Sequence, residues 1–256
     1  MRTVAYGSGP DQVADLRLPD RGTPRAVVVL LHGGFWRERY RRDLMDGLAA
    51  DLAGRGYATW NVEYRRVGPS GGGWPATLTD VAAAMDALDE LAGEHALAVD
   101  RVAVVGHSAG GHLALWAAAR AGLPAGAPGA GPLVRPRVVV SLAGVCDLAE
   151  AARRRLGDRA AQGFLCGGPD EVPERYELAS PAARLPLGVP QLLVHGDADD
   201  RVPVDVSRSY ASAARAAGDT VELLELAGVD HFAVIEPRSA AWHAAAARLE
   251  ALLPPG

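Results

Sequence analysis

Residues 101–111 read R-V-A-V-V-G-H-S-A-G-G, and the architecture of the chain follows from that run. Val102 to Val105 form an apolar stretch short enough to be a strand buried on both faces. Leu113 to Arg120 has helical character, so Gly106-His107-Ser108-Ala109-Gly110 joins a strand to a helix. G-x-S-x-G in that context is a nucleophile elbow, a sharp turn that projects the serine hydroxyl outward. A Cβ at Gly106 or Gly110 is expected to collide with the neighbouring strands. The amide of Ala109, at the head of the helix, then faces any negative oxygen that forms beside Ser108. The competing reading is a glycine-rich turn with a solvated serine. The strand before it and the helix after it favour catalysis.

Outward from the elbow, the chain alternates between two periodicities. Gln12 to Leu18 alternates loosely and ends at Pro19, as an edge strand does. Ala26 to Leu31 is a continuous valine-rich run and predicts a central strand. His32-Gly33-Gly34-Phe35-Trp36 follows it, a loop whose glycines let backbone amides approach a reacting centre. Helices are expected over Asp43–Leu52, Thr77–Leu91, Val204–Ala217 and Ala240–Leu252. Further strands are expected over Tyr57–Tyr64, Val138–Leu142, Gln191–His195 and Val221–Leu226. The alternation implies an α/β domain spanning residues 1–256, with a mostly parallel sheet of about eight strands and helices on both faces. Residues 147–184 break the rhythm with arginines, scattered prolines and Gly167-Gly168-Pro169, and form the candidate cap or lid.

Composition narrows the function. The 256 residues are 49% hydrophobic with a net charge of −5, and no basic face marks a nucleic-acid binder. The two cysteines, Cys146 and Cys166, have neither metal spacing nor the density of a disulfide framework. H-E-x-x-H and related metal signatures are missing, so no metal and no cofactor is expected. The N-terminal residues carry no apolar leader and no run approaches a membrane span. The expectation is a cytoplasmic protein acting on a small molecule, with no nucleic-acid or membrane partner and room for a homodimer.

A serine at its free pKa needs a base, itself oriented by a third group. Two segments supply candidates: His195-Gly196-Asp197-Ala198-Asp199-Asp200-Arg201-Val202-Pro203 and Gly228-Val229-Asp230-His231-Phe232. H-G-G-F-W, G-H-S-A-G-G, H-G-x-x-D-x-x-V-P and the late D-H-F together resemble the α/β-hydrolase superfamily across nearly the whole chain. H-G-G-x-W is similar to the esterase and kynurenine formamidase (arylformamidase) branch.

That resemblance implies Ser108 as nucleophile, Asp199 as acid and His231 as base, with Asp197 and Asp200 competing for the acid's role. It also implies an oxyanion hole from the amides of Gly34, Phe35 and Ala109, although Phe35 stands where the fuller motif has a third glycine. Trp36 and Trp74, each beside glycines, are expected either to wall an aromatic-friendly substrate pocket or to lie in the core. Glu63-Tyr64-Arg65-Arg66 is read as a structural ion-pair anchor. The implied activity is a cofactor-free serine hydrolase that cleaves a small-acyl ester or an aryl formamide through an acyl-enzyme. A peptidase, or an acyltransferase or esterase of secondary metabolism, could use the same triad. A non-catalytic ligand-binding protein of the same fold is the alternative of a different class.

Overall fold

The computed structural model describes residues 1–253. Eight strands form one sheet: β1 (Arg2–Ala5), β2 (Val13–Arg17), β3 (Val27–Leu31), β4 (Ala58–Val62), β5 (Val102–His107), β6 (Val138–Leu142), β7 (Gln191–Gly196) and β8 (Val221–Leu226). Their spatial order is β1-β2-β4-β3-β5-β6-β7-β8. The β1–β2 and β2–β4 pairings are antiparallel and all the others are parallel. β3, β5 and β6 are valine-rich, and all of β3 to β6 are buried along their whole length, as strands covered on both faces must be.

Alternate residues of β3 feed two cores. Val27, Val29 and Leu31 enter one, which takes in α2 (Ala76–His95) and α3 (Ala109–Ala119). Val28 and Leu30 enter the other, against α1 (Asp46–Gly54) and α8 (Ala240–Leu252). α7 (Asp205–Ala216) packs through Val206 and Tyr210 on the first of these faces.

Two expectations change. The segment read as an edge strand, now β2, is second from the edge, because Arg2–Ala5 pairs outside it. Three of those four residues are exposed, so no hydrophobic alternation marks them as a strand. Residues 147–184 hold α4 (Leu148–Arg153), α5 (Leu156–Leu165), α6 (Pro173–Ala179) and a short 3-10 turn. This segment is packed into the α2–α3 core through Phe164, Leu165 and Tyr176.

The expected anchor after β4 is present. Glu63 is fully buried, with His32 Nε2 3.1 Å and Arg66 Nη1 3.3 Å from one carboxylate oxygen. The other oxygen accepts from Arg41 Nε at 3.3 Å and from the Arg42 amide at 3.2 Å. Arg66 continues to Asp11 at 3.0 Å. Burial pushes the Glu63 carboxyl up, but the bonds from His32, the Arg66 charge and the Arg42 amide outweigh it and bring its pKa to about 2. A carboxyl whose pKa is lower folded than unfolded stabilises the protein above its unfolded value. That contribution disappears as pH falls through the folded value. Glu63→Gln should therefore cost about 3–5 kcal/mol at neutral pH. Urea unfolding should also show that the variant loses less stability than wild type between pH 5 and pH 2; parallel pH profiles would contradict this role.

Candidate active site

The elbow is built as a close approach of backbones. Ser108 holds φ 56° and ψ −116°, a strained conformation for a residue with a Cβ. Its amide donates to Leu142 O of β6 at 2.8 Å, and its carbonyl accepts from His112 N at 3.1 Å. A Cβ on Gly110 would lie 2.0 Å from Leu31 O of β3, as the neighbouring-strand argument requires. At Gly106 the obstacle is different: a Cβ would meet Gly110 O of α3 at 1.9 Å. The elbow glycines thus clear one strand and the turn's own helix.

Asp199 and His231 meet after β7 and β8. His231 Nδ1 lies 2.6 Å from Asp199 Oδ2, and both side chains are almost wholly buried. The other carboxylate oxygen accepts from the amides of Arg201 and Val202 at 2.8 and 2.9 Å. The rival carboxylates lie elsewhere. Asp197 accepts from Gly228 N at 2.6 Å, and Asp200 makes an exposed pair with Arg201. Asp230 accepts from the amides of Phe232 and Ala233, both at 2.9 Å, and so shapes the turn that carries His231.

Two further histidines join this cluster. His195 Nε2 donates to Val202 O at 2.8 Å and lies 3.2 Å from Asp199 Oδ2, while the Ser207 hydroxyl bonds its Nδ1 at 2.7 Å. Burial pushes the Asp199 carboxyl up, yet the hydrogen bonds from His195 and His231 hold it well below the usual carboxylate range. His107 Nε2 donates to the carbonyl of His231 at 2.9 Å, and the two rings lie 4.7 Å apart. Burial, reinforced by His231, pushes His107 down to about 3, so the ring stays neutral. Its Nδ1 has no hydrogen-bond partner and faces Gly33, where a Cβ would come within 2.8 Å.

Ser108 and His231 open onto one cavity of about 130 Å³, walled also by Gly34, Phe35, Tyr40 and Phe232. With Nδ1 held by Asp199, Nε2 is the ring nitrogen of His231 left for a proton transfer. Gly34, Phe35 and Trp36 all have positive φ, of 118°, 51° and 58°. Among the described residues, the amides of Gly34, Phe35 and Ala109 donate to no protein acceptor. The Ala109 side chain is packed in the core and its amide opens α3.

The substrate-wall reading of the tryptophans is corrected. Trp36 is buried in the core, stacked on Phe164 at 4.7 Å, with its indole N–H donating to His112 Nδ1 at 3.1 Å. It anchors the strained loop from behind. Trp74 is half-buried, its amide bonded to Phe164 O at 2.7 Å, and neither indole lines the cavity. No residue of 147–184 lines the cavity either, so the expected lid does not cover it. Instead Gly157 sits against the Phe35 ring, where a Cβ would come within 2.6 Å, and Arg37 donates to Asp158 O at 2.7 Å. From sequence, His107 reads as packing or hydrogen-bonding around the elbow and His195 as holding loop shape; their partners, the His231 carbonyl for one and Asp199 with Val202 for the other, come from the structure. Their positions in H-G-x-x-D and G-H-S were the available signal.

This topology and side-chain cluster define an α/β-hydrolase fold carrying a serine, an imidazole and a buried carboxylate at the ends of its parallel strands. The chain belongs to the BD-FAE family, whose family model matches residues 14–213. It is 32% identical over 247 residues to esterase LipC of Mycobacterium tuberculosis (strain ATCC 25618 / H37Rv), covering 90% of this chain and 59% of that protein. Esterase LipQ of the same organism is 28% identical over 237 residues, covering 89% of this chain and 56% of that one. The chain thus spans less than two thirds of the length of these relatives. Among solved structures, a truncated carbohydrate esterase from gut microbiota superposes with a TM-score of 0.84 at 20% identity, covering 98% of this chain and 96% of that one. The propionate-bound esterase Est2 of Thermogutta terrifontis gives 0.80 at 20% identity, covering 100% and 96%.

The short Asp199–His231 contact carries its own expectation. The shared proton should give a proton NMR signal far downfield of the amide envelope, as short charge-assisted bonds do. It should vanish in both Asp199→Asn and His231→Gln. Persistence in either variant would assign the signal, and the bond, elsewhere.

Proposed function

We propose that the chain hydrolyses small-acyl carboxylic esters through a covalent acyl-enzyme on Ser108. The observation that carries this reading is the series Asp199–His231, joined at 2.6 Å, with His231 and Ser108 on one cavity at a strained elbow. The named esterase relatives support the same reading.

The Ser108 hydroxyl attacks the ester carbonyl while His231 Nε2 takes its proton. Asp199 holds the Nδ1–H tautomer and stabilises the imidazolium that forms. The amides of Gly34, Phe35 and Ala109 receive the oxyanion; they are already placed and have no protein acceptor to give up. His231 then protonates the departing alkoxide. Water, deprotonated by the same nitrogen, releases the acid and restores Ser108. His107 and His195 act as positioning residues, one on the backbone of His231 and the other on Asp199 and Val202.

A cavity of about 130 Å³ is below the range of drug-sized pockets and suits a short acyl group. The aryl formamide reading rested mainly on Trp36 within the H-G-G-x-W resemblance, and the named esterase relatives favour the ester. A peptidase or acyltransferase on the same side chains has no observation of its own to favour it.

Ser108→Ala should abolish hydrolysis of 4-nitrophenyl acetate while circular dichroism and thermal unfolding stay those of wild type. Retained turnover would remove Ser108 from the mechanism. Asp199→Asn should lower kcat about 10⁴-fold, because the imidazole adopts the wrong tautomer. Across acetate, butyrate and octanoate esters, kcat/KM should fall with acyl length. Turnover of N-formylkynurenine tenfold above the acetate would instead restore the formamidase branch.

A further inference from the structure

The charge around the cavity is at odds with that of the chain. The protein carries a net charge of −5, yet three arginines line the cavity (Arg37, Arg39 and Arg201) and no acidic residue does. Asp199, the acid nearest the chemistry, is shut behind His231 with its side chain fully buried.

These arginines are poorly neutralised. Among the described residues, neither Arg37 nor Arg39 has a carboxylate within 4.0 Å. Arg37 spends one N–H on the Asp158 carbonyl, which fixes the group without cancelling its charge. Arg39 lies over the ring of Tyr40, 5.5 Å from its centroid, and Tyr40 itself walls the cavity. Arg201 is paired only with Asp200, whose side chain is 74% exposed, so water screens that pair. Some arginines elsewhere are paired closely, as Arg42 is with Asp15, Arg65 with Asp80 and Arg120 with Asp86, and others stand alone on the surface; what sets the cavity apart is that three arginines share it with no carboxylate. Like charges gathered around one cavity, two without a carboxylate partner and one in a solvent-screened pair, raise the local positive potential and draw anions in.

We infer that the substrate carries a carboxylate outside the scissile ester, held at the cavity mouth by Arg37, Arg39 and Arg201. The inference rests on the esterase reading for its chemistry but on the charge pattern for its specificity. The rings of Phe35, Tyr40 and Phe232 on the same cavity suit an aromatic body between the ester and the anion. Arg37 is also tied to Asp158, so Arg39 and Arg201 are the residues on which specificity can be tested with the least disturbance.

The test compares 3-carboxyphenyl acetate with its neutral counterpart, 3-carbamoylphenyl acetate. The ratio of their kcat/KM values, taken within each protein, cancels the difference in leaving group when variants are compared with wild type. Arg39→Gln combined with Arg201→Gln should lower the anionic-to-neutral ratio about tenfold, the sum expected of two exposed charge contacts. Raising salt from about 0.05 to about 0.5 M should erode the ratio in wild type and barely move it in the double variant. A ratio unchanged within twofold by both the substitutions and the salt would overturn the inference.

A second measurement separates this failure from that of the esterase reading. Calorimetric titration of Ser108→Ala with benzoate and with benzamide should show tighter benzoate binding, abolished when the two arginines are also replaced. Benzoate preference without turnover of any ester by wild type would sink the esterase reading and leave the anion site standing. Ester turnover with benzoate no tighter than benzamide would do the reverse.

Discussion

Gly110 passes so near the carbonyl of Leu31 that a single added methyl would sit 2.0 Å from its oxygen, and the rest of the site is arranged around that approach. It lets α3 begin directly over the ends of β3 and β5, with Ser108 on the turn between strand and helix. The Ser108 amide is held by Leu142 of β6 and its carbonyl by His112 of α3, so strand and helix jointly impose the positive φ. The conformational cost, about 1–3 kcal/mol for such a residue, is offset by the buried core on both sides.

Burying Asp199 raises a second demand. A carboxylate removed from water is stable only when its oxygens are fully bonded. Here two backbone amides take one oxygen and two imidazoles approach the other. The arrangement supplies the charge that orients His231 and also explains why His195 and Ser207 are buried with it. His107 adds a neutral ring under the backbone of His231, and its own lowered pKa keeps a second cation from forming beside the imidazolium that the proposed mechanism calls for.

The loop after β3 shows a core residue serving a site it does not touch. Three successive residues, Gly34 to Trp36, hold positive φ, and the last two carry side chains that disfavour it. The Trp36 indole, stacked on Phe164 and bonded to His112, pins the end of that strained run. Phe164 belongs to residues 147–184, so that segment steadies the amide-bearing loop from the side instead of closing over Ser108. An aromatic beside glycines looks the same in sequence whether it faces ligand or core. The distinction depends on which way the left-handed turn sends the side chain.

The candidates Ser108, Asp199 and His231 could be picked out because each lies in a short motif at the end of a strand, and the α/β-hydrolase resemblance chose among their neighbours. The central strands were legible for a related reason: residues buried on both faces must be continuously apolar, and Val27–Leu31 and Val138–Leu142 are. The amino-acid order alone therefore determined the alternation of strands and helices and the elbow, and it supplied the carboxylate and imidazole candidates. Tertiary structure alone decided that Arg2–Ala5 joins the sheet edge, that Trp36 turns inward and that His195 and His107 brace the site. It also brought Arg37, Arg39 and Arg201, from widely separated segments, to one cavity. Those outcomes depend on contacts between segments far apart in the chain, which leave no periodic trace in any one of them.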